Sequence, residues 1–267
     1  MKQSGIKSQM PYKLSDQEYS DYLRDGYLVR ESVFDKQEVA GFRQASEKAA
    51  VVANKLATSG QIYILDGKKF VDIDFLTVQY ESGANSEAIR VIEPAHQLDP
   101  VLDALVDDER LTQPMLKLVG VDAVALWTDK LNLKQAKSGS GFTWHQDAPY
   151  WIHDCAHVDQ LPNVYLALDD ASQENGCFQI IKSSHTQGCL PGTVDGSQLG
   201  GFYTDPQYID ASQRVDFEVP AGSLVFFNAH SIHGSEANNS DQARGAFILT
   251  YQPANFPMLK SGEVRNV

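Results

Sequence analysis

Apolar and polar positions along the chain change their period about halfway. Near the N-terminus, Ser15-Asp16-Gln17-Glu18 reads as a capping box and Gly26 as the residue that ends the helix it starts. A short strand follows at 27–29. A second capping pattern, Asp35 to Glu38, opens a helix rich in Ala, Lys and Glu that runs to Leu56 and stops at Thr58-Ser59-Gly60. Residues 61–80 are β-rich around the turn signal Asp66-Gly67, and a further helix is expected over about 100–118. From residue 124 onward, short β-like runs alternate with turn signals such as Asn175-Gly176 and Pro220-Ala221-Gly222-Ser223. The expected strands are 123–133, 163–168, 176–181, 214–219, 223–228 and 246–252.

This spacing predicts a mainly β protein with flanking helices, built on a β-sandwich or jelly roll. No repeat, low-complexity linker or composition break divides the 267 residues. One domain is therefore expected over 1–267, a helical N-terminal part of about 1–120 packing on a β core of about 121–255. Residues 191–209 hold four glycines and little periodicity, as expected of a long loop over the mouth of the β core.

Composition narrows the classes. With 42% hydrophobic and 21% charged residues the chain is too apolar to be disordered. Lys plus Arg number 22 against 35 Asp plus Glu, a formal charge of −13, which argues against nucleic acid and against an anionic membrane surface. Residues 1–12 carry no hydrophobic signal core, and no apolar run is long enough for a membrane span. Three cysteines, Cys155, Cys177 and Cys189, form no C-x-x-C pair. They fit a reducing compartment, so a cytoplasmic location is expected.

Two segments carry candidate chemistry: Gly141-Phe142-Thr143-Trp144-His145-Gln146-Asp147-Ala148-Pro149-Tyr150-Trp151, and His230-Ser231-Ile232-His233-Gly234-Ser235 with the later Arg244. On an extended chain His145 and Asp147 point to the same face, where an imidazole nitrogen and a carboxylate oxygen can converge on one metal. A second histidine from another strand would complete the two-His, one-carboxylate set of non-haem Fe(II) oxygenases. Alone, His-x-Asp is a weak signal. Either His233 or His230 can supply the third ligand; on a strand the two face opposite ways.

The context is more specific. The chain resembles the phytanoyl-CoA dioxygenase family, a branch of the Fe(II)- and 2-oxoglutarate-dependent oxygenases, through His145-Gln146-Asp147, Asn175-Gly176-Cys177, Ser183-Ser184-His185, Pro220-Ala221-Gly222-Ser223 and His233-Gly234-Ser235, with Asn238, Ser240 and Arg244, all in the expected order. The matching residues span about half the chain. The resemblance implies a double-stranded β-helix (jelly roll, cupin-like) core, with His145, Asp147 and His233 as metal ligands and catalytic centre. It implies Fe(II) as cofactor, 2-oxoglutarate and O2 as cosubstrates, and ascorbate as a reductant in vitro. Arg244, eleven residues past His233, falls where the family anchors the distal carboxylate of 2-oxoglutarate, a task suited to a guanidinium. Ser235 shares the strand face of His233 and is expected to donate to the same carboxylate. Asn132, Phe142 and Tyr165 match positions lining the cosubstrate pocket.

Tyr150 and Trp151 follow the metal motif and are expected to face the substrate. His153, Asp154 and His157 read as a solvated loop, His185 as structural, and Lys134 and Lys137 as surface charge, although either can meet a substrate anion. The implied reaction is hydroxylation of an unactivated C–H, with release of succinate and CO2. Asp147 favours it over halogenation, because related halogenases seat a halide where this carboxylate lies. The expected partner is a small polar metabolite, cationic or zwitterionic, since no basic patch suited to coenzyme A stands out. Two other readings remain open: a metal- or 2-oxoglutarate-binding domain without turnover, and a cupin-like isomerase or lyase.

Overall fold

Both capping boxes form. In the computed structural model, which describes residues 12–82 and 86–267, Ser15 Oγ accepts from Glu18 N at 3.2 Å and Glu18 Oε2 accepts from Ser15 N at 2.8 Å, starting α1 (Asp16–Asp25). The reading of residues 1–12 as lacking a signal core falls almost wholly outside the described residues. Asp35 accepts from Gln37 N and Glu38 N and starts α2 (Lys36–Ala57). The buried face of α2 includes Ala45, Ala49 and Ala53, small side chains that let the helix lie close to a sheet. The helix expected over 100–118 is two: α3 (Pro100–Val106) and α4 (Glu109–Val119). Asp108 separates them, because its side chain caps a new helix by accepting from Arg110 N at 2.9 Å. A last helical turn, α5, covers Ala148–Trp151.

Among the described residues thirteen strands make two antiparallel sheets. They are β1 (Tyr27–Arg30), β2 (Gln61–Leu65), β3 (Lys68–Ile73), β4 (Leu76–Ser82), β5 (Ile89–Glu93), β6 (Val124–Lys134), β7 (Phe142–His145), β8 (Asn163–Ala167), β9 (Gln179–Ile181), β10 (Arg214–Asp216), β11 (Leu224–Phe227), β12 (His233–Ser235) and β13 (Arg244–Pro253). The larger sheet runs β1-β11-β8-β13-β6-β5-β4-β3-β2, and the smaller β10-β9-β12-β7. This is the jelly-roll core with flanking helices. Residues before 120 are more than a helical cover, since they contribute β1–β5 to the larger sheet. Two strands are shorter than their apolar runs, β9 starting at Gln179 and β10 ending at Asp216.

The two faces of the larger sheet do different work. One packs against α2, α3 and α4 in a core that includes Ala49, Leu102, Met115, Ile92, Leu126 and Phe247. The other faces the smaller sheet across a second core containing Tyr165, Phe178, Phe227 and Ala246. The functional cavity opens beside this second core. Among the described residues no helix is long and apolar enough to cross a membrane.

The turn before β11 requires a glycine. Gly222 sits at φ +85°, its carbonyl accepts from Val33 N and Phe34 N, and a Cβ there would lie 2.4 Å from Phe34 O. Gly222→Ala is expected to cost about 2 kcal/mol or more, lowering the melting temperature by roughly 4–8 °C for a chain of this size. Gly262→Ala is the control: φ is +71°, but no atom stands within 4 Å. A melt followed by circular dichroism should show a clearly smaller loss for it, and equal losses would discount the Phe34 contact.

Candidate active site

The site begins with one strand pairing. β7 and β12 run antiparallel with His145 directly opposite His233, and the imidazole centroids lie 4.2 Å apart. Asp147 arrives differently from the sequence expectation. β7 ends at His145, and Asp147 has helical backbone angles (φ −77°, ψ −36°) at the start of α5. The carboxylate therefore comes round on a turn, not along the strand. That turn is pinned where Asp147 N and Ala148 N both donate to Ala229 O. Gln146, between the two candidate ligands, ties the turn to neighbouring loops by donating to Gly188 O and His230 O and accepting from Leu190 N. One nitrogen of each histidine and one carboxylate oxygen of Asp147 lie within 4.8 Å of one another.

Each group is oriented for a cation. His145 Nδ1 is 2.7 Å from Thr143 O, and His233 Nδ1 is 2.9 Å from Ser231 O. Both Nδ1 atoms therefore carry the proton, and both Nε2 lone pairs are left free. Asn163 Nδ2 donates to Asp147 Oδ2 at 3.0 Å, and Asn163 in turn accepts from Thr250 Oγ1. Lys130 Nζ stands 3.8 Å from Asp147 Oδ1. Burial, reinforced by His233, pushes His145 down to about 3, and burial also lowers His233. Burial opposes the charge on Asp147, but Lys130 and the two histidines outweigh it and hold the carboxyl below its usual range. Two neutral imidazoles and one carboxylate fit a hard-to-borderline divalent ion such as Fe(II).

His230 is not part of this cluster. It precedes β12 in a turn, and its Nε2 lies 2.7 Å from Asp159 Oδ1. His153 and Asp154 are exposed, and His157 bonds to Gln252 Oε1, so among the described residues they form no second metal cluster. His185 bonds to Leu23 O at 3.0 Å.

The three groups line a cavity of about 460 Å³. Asn132, Phe142, Tyr165, Ser235 and Arg244 line it, as do Tyr150 and Trp151. Arg244 is 2% exposed; its Nη1 donates to Tyr165 Oη at 3.0 Å and its Nη2 to Gly176 O at 2.8 Å. Its Nε has no partner, nor does Asn132 Oδ1. A buried guanidinium with an idle donor and no carboxylate beside it suits the distal carboxylate of 2-oxoglutarate.

Lys134 corrects the surface reading. It is 1% exposed and donates to Ser235 Oγ at 2.8 Å, to Gly176 O and to Glu236 O. Burial, with Arg244 and Arg90 nearby, pushes its ammonium down to about 6. Lys137 is a surface residue paired with Asp241. Trp151 is buried against Trp127 and also borders the cavity, with Lys130 Nζ 5.3 Å from its ring centre. Tyr150 is exposed and stacks on Phe202 at 4.5 Å. Phe202, Leu199 and Tyr203 bring the 191–209 segment into the cavity wall, and the Asp66 carboxylate holds that segment by accepting from Gln198 N and Leu199 N.

Fold and site together define a non-haem Fe(II)- and 2-oxoglutarate-dependent oxygenase. The family model for phytanoyl-CoA dioxygenase (PhyH) matches residues 22–246, and the chain belongs to that family. It is 27% identical to a phytanoyl-CoA dioxygenase domain-containing protein 1 homolog of Caenorhabditis elegans, over 85% of this chain and 87% of that one. It is 26% identical to an ectoine dioxygenase of Bordetella parapertussis, over 89% and 75% respectively. An L-proline trans-4-hydroxylase of Streptomyces griseoviridis is 30% identical over 62% of this chain and 68% of its own. The fold matches EctD from S. alaskensis, solved with 2-oxoglutarate and 5-hydroxyectoine, with a TM-score of 0.70 at 22% identity, covering 97% of this chain and 83% of that chain.

The two histidines, His145 half-buried and His233 buried, set a pH dependence. Above pH 6.5 they are neutral in both the folded and the unfolded chain. Below it the unfolded chain takes up protons that folded His145 refuses until about pH 3. The metal-free protein should therefore lose stability as pH falls from 6.5 toward 4, by about 1.4 kcal/mol per pH unit from His145 alone. His145→Gln should flatten that slope in urea melts run across the range; an unchanged slope would mean the imidazole is protonated in the fold.

Proposed function

We propose that this chain hydroxylates an unactivated C–H of a small metabolite, with His145, Asp147 and His233 holding Fe(II) and Arg244 anchoring 2-oxoglutarate. The observation that carries the reading is the combination, in one cavity, of an oriented His-Asp-His cluster and a buried guanidinium with no carboxylate partner. When bound, iron with 2-oxoglutarate and O2 supplies the oxidising power, releasing succinate and CO2 as hydroxyl replaces hydrogen.

The chain's own residues do the placing. His145 at the end of β7, Asp147 on the turn after it and His233 on β12 would hold the ion, which would supply the open positions that cosubstrate and oxygen need. Thr143 O and Ser231 O fix which nitrogen each histidine offers, and Asn163 fixes the rotation of the carboxylate. Arg244 grips the distal carboxylate of 2-oxoglutarate. Ser235 joins it: its oxygen already accepts from Lys134, which leaves its own proton free to donate. Asn132 contributes its amide, and Phe142 and Tyr165 wall the cosubstrate pocket. Phe178, Phe227 and Ile248 exclude water from the inner end of the cavity. On the outer side Tyr150 and Trp151 meet the substrate. The carboxylate at Asp147 supports hydroxylation, because it takes the position a halide would need. The free thiols Cys155, Cys177 and Cys189 fit a cytoplasmic setting.

Succinate formation from 2-oxoglutarate, with Fe(II), O2 and ascorbate and a panel of small metabolites, tests the reading. Arg244→Gln should raise the apparent KM for 2-oxoglutarate roughly 100-fold, in line with loss of a charge-assisted bond pair worth about 3 kcal/mol. Turnover that ignores this substitution would favour a cupin-like isomerase or lyase. No succinate with any compound, despite iron and 2-oxoglutarate binding, would favour a binding domain.

A further inference from the structure

A nucleophile, a base and a carboxylate stand in line outside the cavity. Cys189 is exposed, and its Sγ lies 3.7 Å from His230 Nδ1. On the far side of the same ring, His230 Nε2 lies 2.7 Å from Asp159 Oδ1. An ionised carboxylate only accepts, so Nε2 carries the ring proton and the Nδ1 lone pair faces the thiol. The histidine is 8% exposed and is held at both ends of its backbone. His230 N donates to Asn228 Oδ1 at 2.9 Å, and His230 O accepts from Gln146 Nε2. None of the three residues lines the cavity.

The other two thiols are placed differently. Cys177 is buried, and burial pushes it up to about 11. Cys155 is half-buried, and burial raises it as well. Among the described residues, Cys189 alone of the three is both exposed and hydrogen-bonded to an imidazole. It too is held above the ordinary thiol value, first by partial burial and then by the charge of Asp159. Such a thiol keeps its proton until a base takes it, and the thiolate then formed is the stronger nucleophile. His230 stands where that base is needed, and Asp159 steadies both the ring and the charge it gains. The other titratable neighbour of the ring is His185, whose charge opposes that of His230.

The same residues brace the metal turn. Gln146, between His145 and Asp147, donates through Nε2 to Gly188 O at 2.8 Å and accepts through Oε1 from Leu190 N at 2.8 Å. Its amide is therefore clamped to both neighbours of Cys189 and to the carbonyl of His230. Gly188 (φ +67°, ψ −156°), with open space where a Cβ would stand, gives this loop a hinge. A substituent on Sγ removes the proton that the thiol offers to Nδ1 and sets a bulkier group against the ring. Cys189 and His230 then separate, and both draw on Gln146.

We propose that Cys189, with His230 as its base and Asp159 as the orienting carboxylate, is a site of exchange with small disulfides, and that the mixed disulfide formed there weakens iron holding through Gln146. In the exchange His230 takes the thiol proton and the sulfur attacks one sulfur of the disulfide. A new S–S bond forms as the old one breaks, and the departing thiolate takes the proton from His230. The Cys189 sulfur is oxidised, the departing sulfur is reduced, and no other reactant is needed. The first half of the proposal stands apart from the reading above, and the second half rests on it for the iron site. Cytosolic disulfides of this kind are transient and act as sensors.

Cystamine is the probe. Its uptake by the metal-free chain is followed by intact mass, and peptide mapping locates the adduct. Cys189 should react roughly tenfold or more faster than Cys155 or Cys177, and His230→Gln should slow it by about tenfold at neutral pH. Asp159→Asn, a change at the surface, should slow it by about twofold or more. The gap between His230→Gln and the unaltered chain should close toward about pH 10, where the thiol ionises without help. Fe(II) is then titrated without O2 into the chain carrying the adduct. Iron affinity should fall by about fivefold or more and return on reduction with dithiothreitol, while Cys189→Ser put through the same steps should show no change. Equal rates at the three cysteines overturn the proposal, as do unchanged rates in His230→Gln or Asp159→Asn. A gap that persists at high pH also overturns it, because His230 would then act by shape alone. So does an adduct that leaves iron affinity unchanged. If the reduced, unaltered chain binds no iron, the iron reading fails instead, and the exchange rates still decide the role of Cys189.

Discussion

The antiparallel pairing of β7 with β12 is the constraint on which the site depends. It brings two imidazoles side by side, tilted at 51°, from strands 88 residues apart in sequence (233 − 145), and it does so through the register of the backbone. The carbonyls of Thr143 and Ser231 then set the tautomer of each ring. What remains is to bring in a carboxylate, and the short turn into α5, held by Ala229 O and Gln146, does that. A one-residue slip in this pairing would turn one histidine to the opposite face and dismantle the cluster.

The larger sheet contributes the other half of the chemistry, and its contribution is electrostatic. Arg244, Lys134, Lys130 and Arg90 come from β13, β6 and β5, three adjacent strands. Arg244, Lys130 and Arg90 bring charge into a poorly solvated space, where an unmet cation lowers stability, while Lys134 is relieved by losing its proton readily. The chain tolerates this because the other face of the same sheet is packed against α2–α4 by a large apolar core. The overall charge of −13 is therefore a poor guide to the cavity, where five cationic side chains stand against three carboxylates.

Much of this was legible in the sequence. Capping boxes gave the starts of α1 and α2, turn signals gave most of the β core, and the motif residues His145, Asp147, His233 and Arg244 all come to one cavity. The misreadings have local causes. Asp147 was assigned to the strand because an i, i+2 spacing suggests extended chain, yet the backbone turns helical after His145. Lys134 looked like surface charge because composition cannot show that its strand is central to a sheet and that three oxygens await its ammonium. Arg90 was not singled out at all. Alternation is the only sequence signal for which face a strand residue takes, and a bulge breaks alternation without leaving a trace in residue type. Lys130 and Asn163 were missed for another reason: each contacts Asp147, and neither belongs to a ligand motif.

The central claim is that iron is held by His145, Asp147 and His233 and not by the nearby His230. Iron stoichiometry after anaerobic loading and desalting tests it most directly, measured on single alanine variants at each of the four positions. The account predicts one iron per chain in the unaltered protein and in His230→Ala, with marked loss at each of the other three. Full iron retention in His233→Ala, or its loss in His230→Ala with the fold intact by circular dichroism, would contradict it.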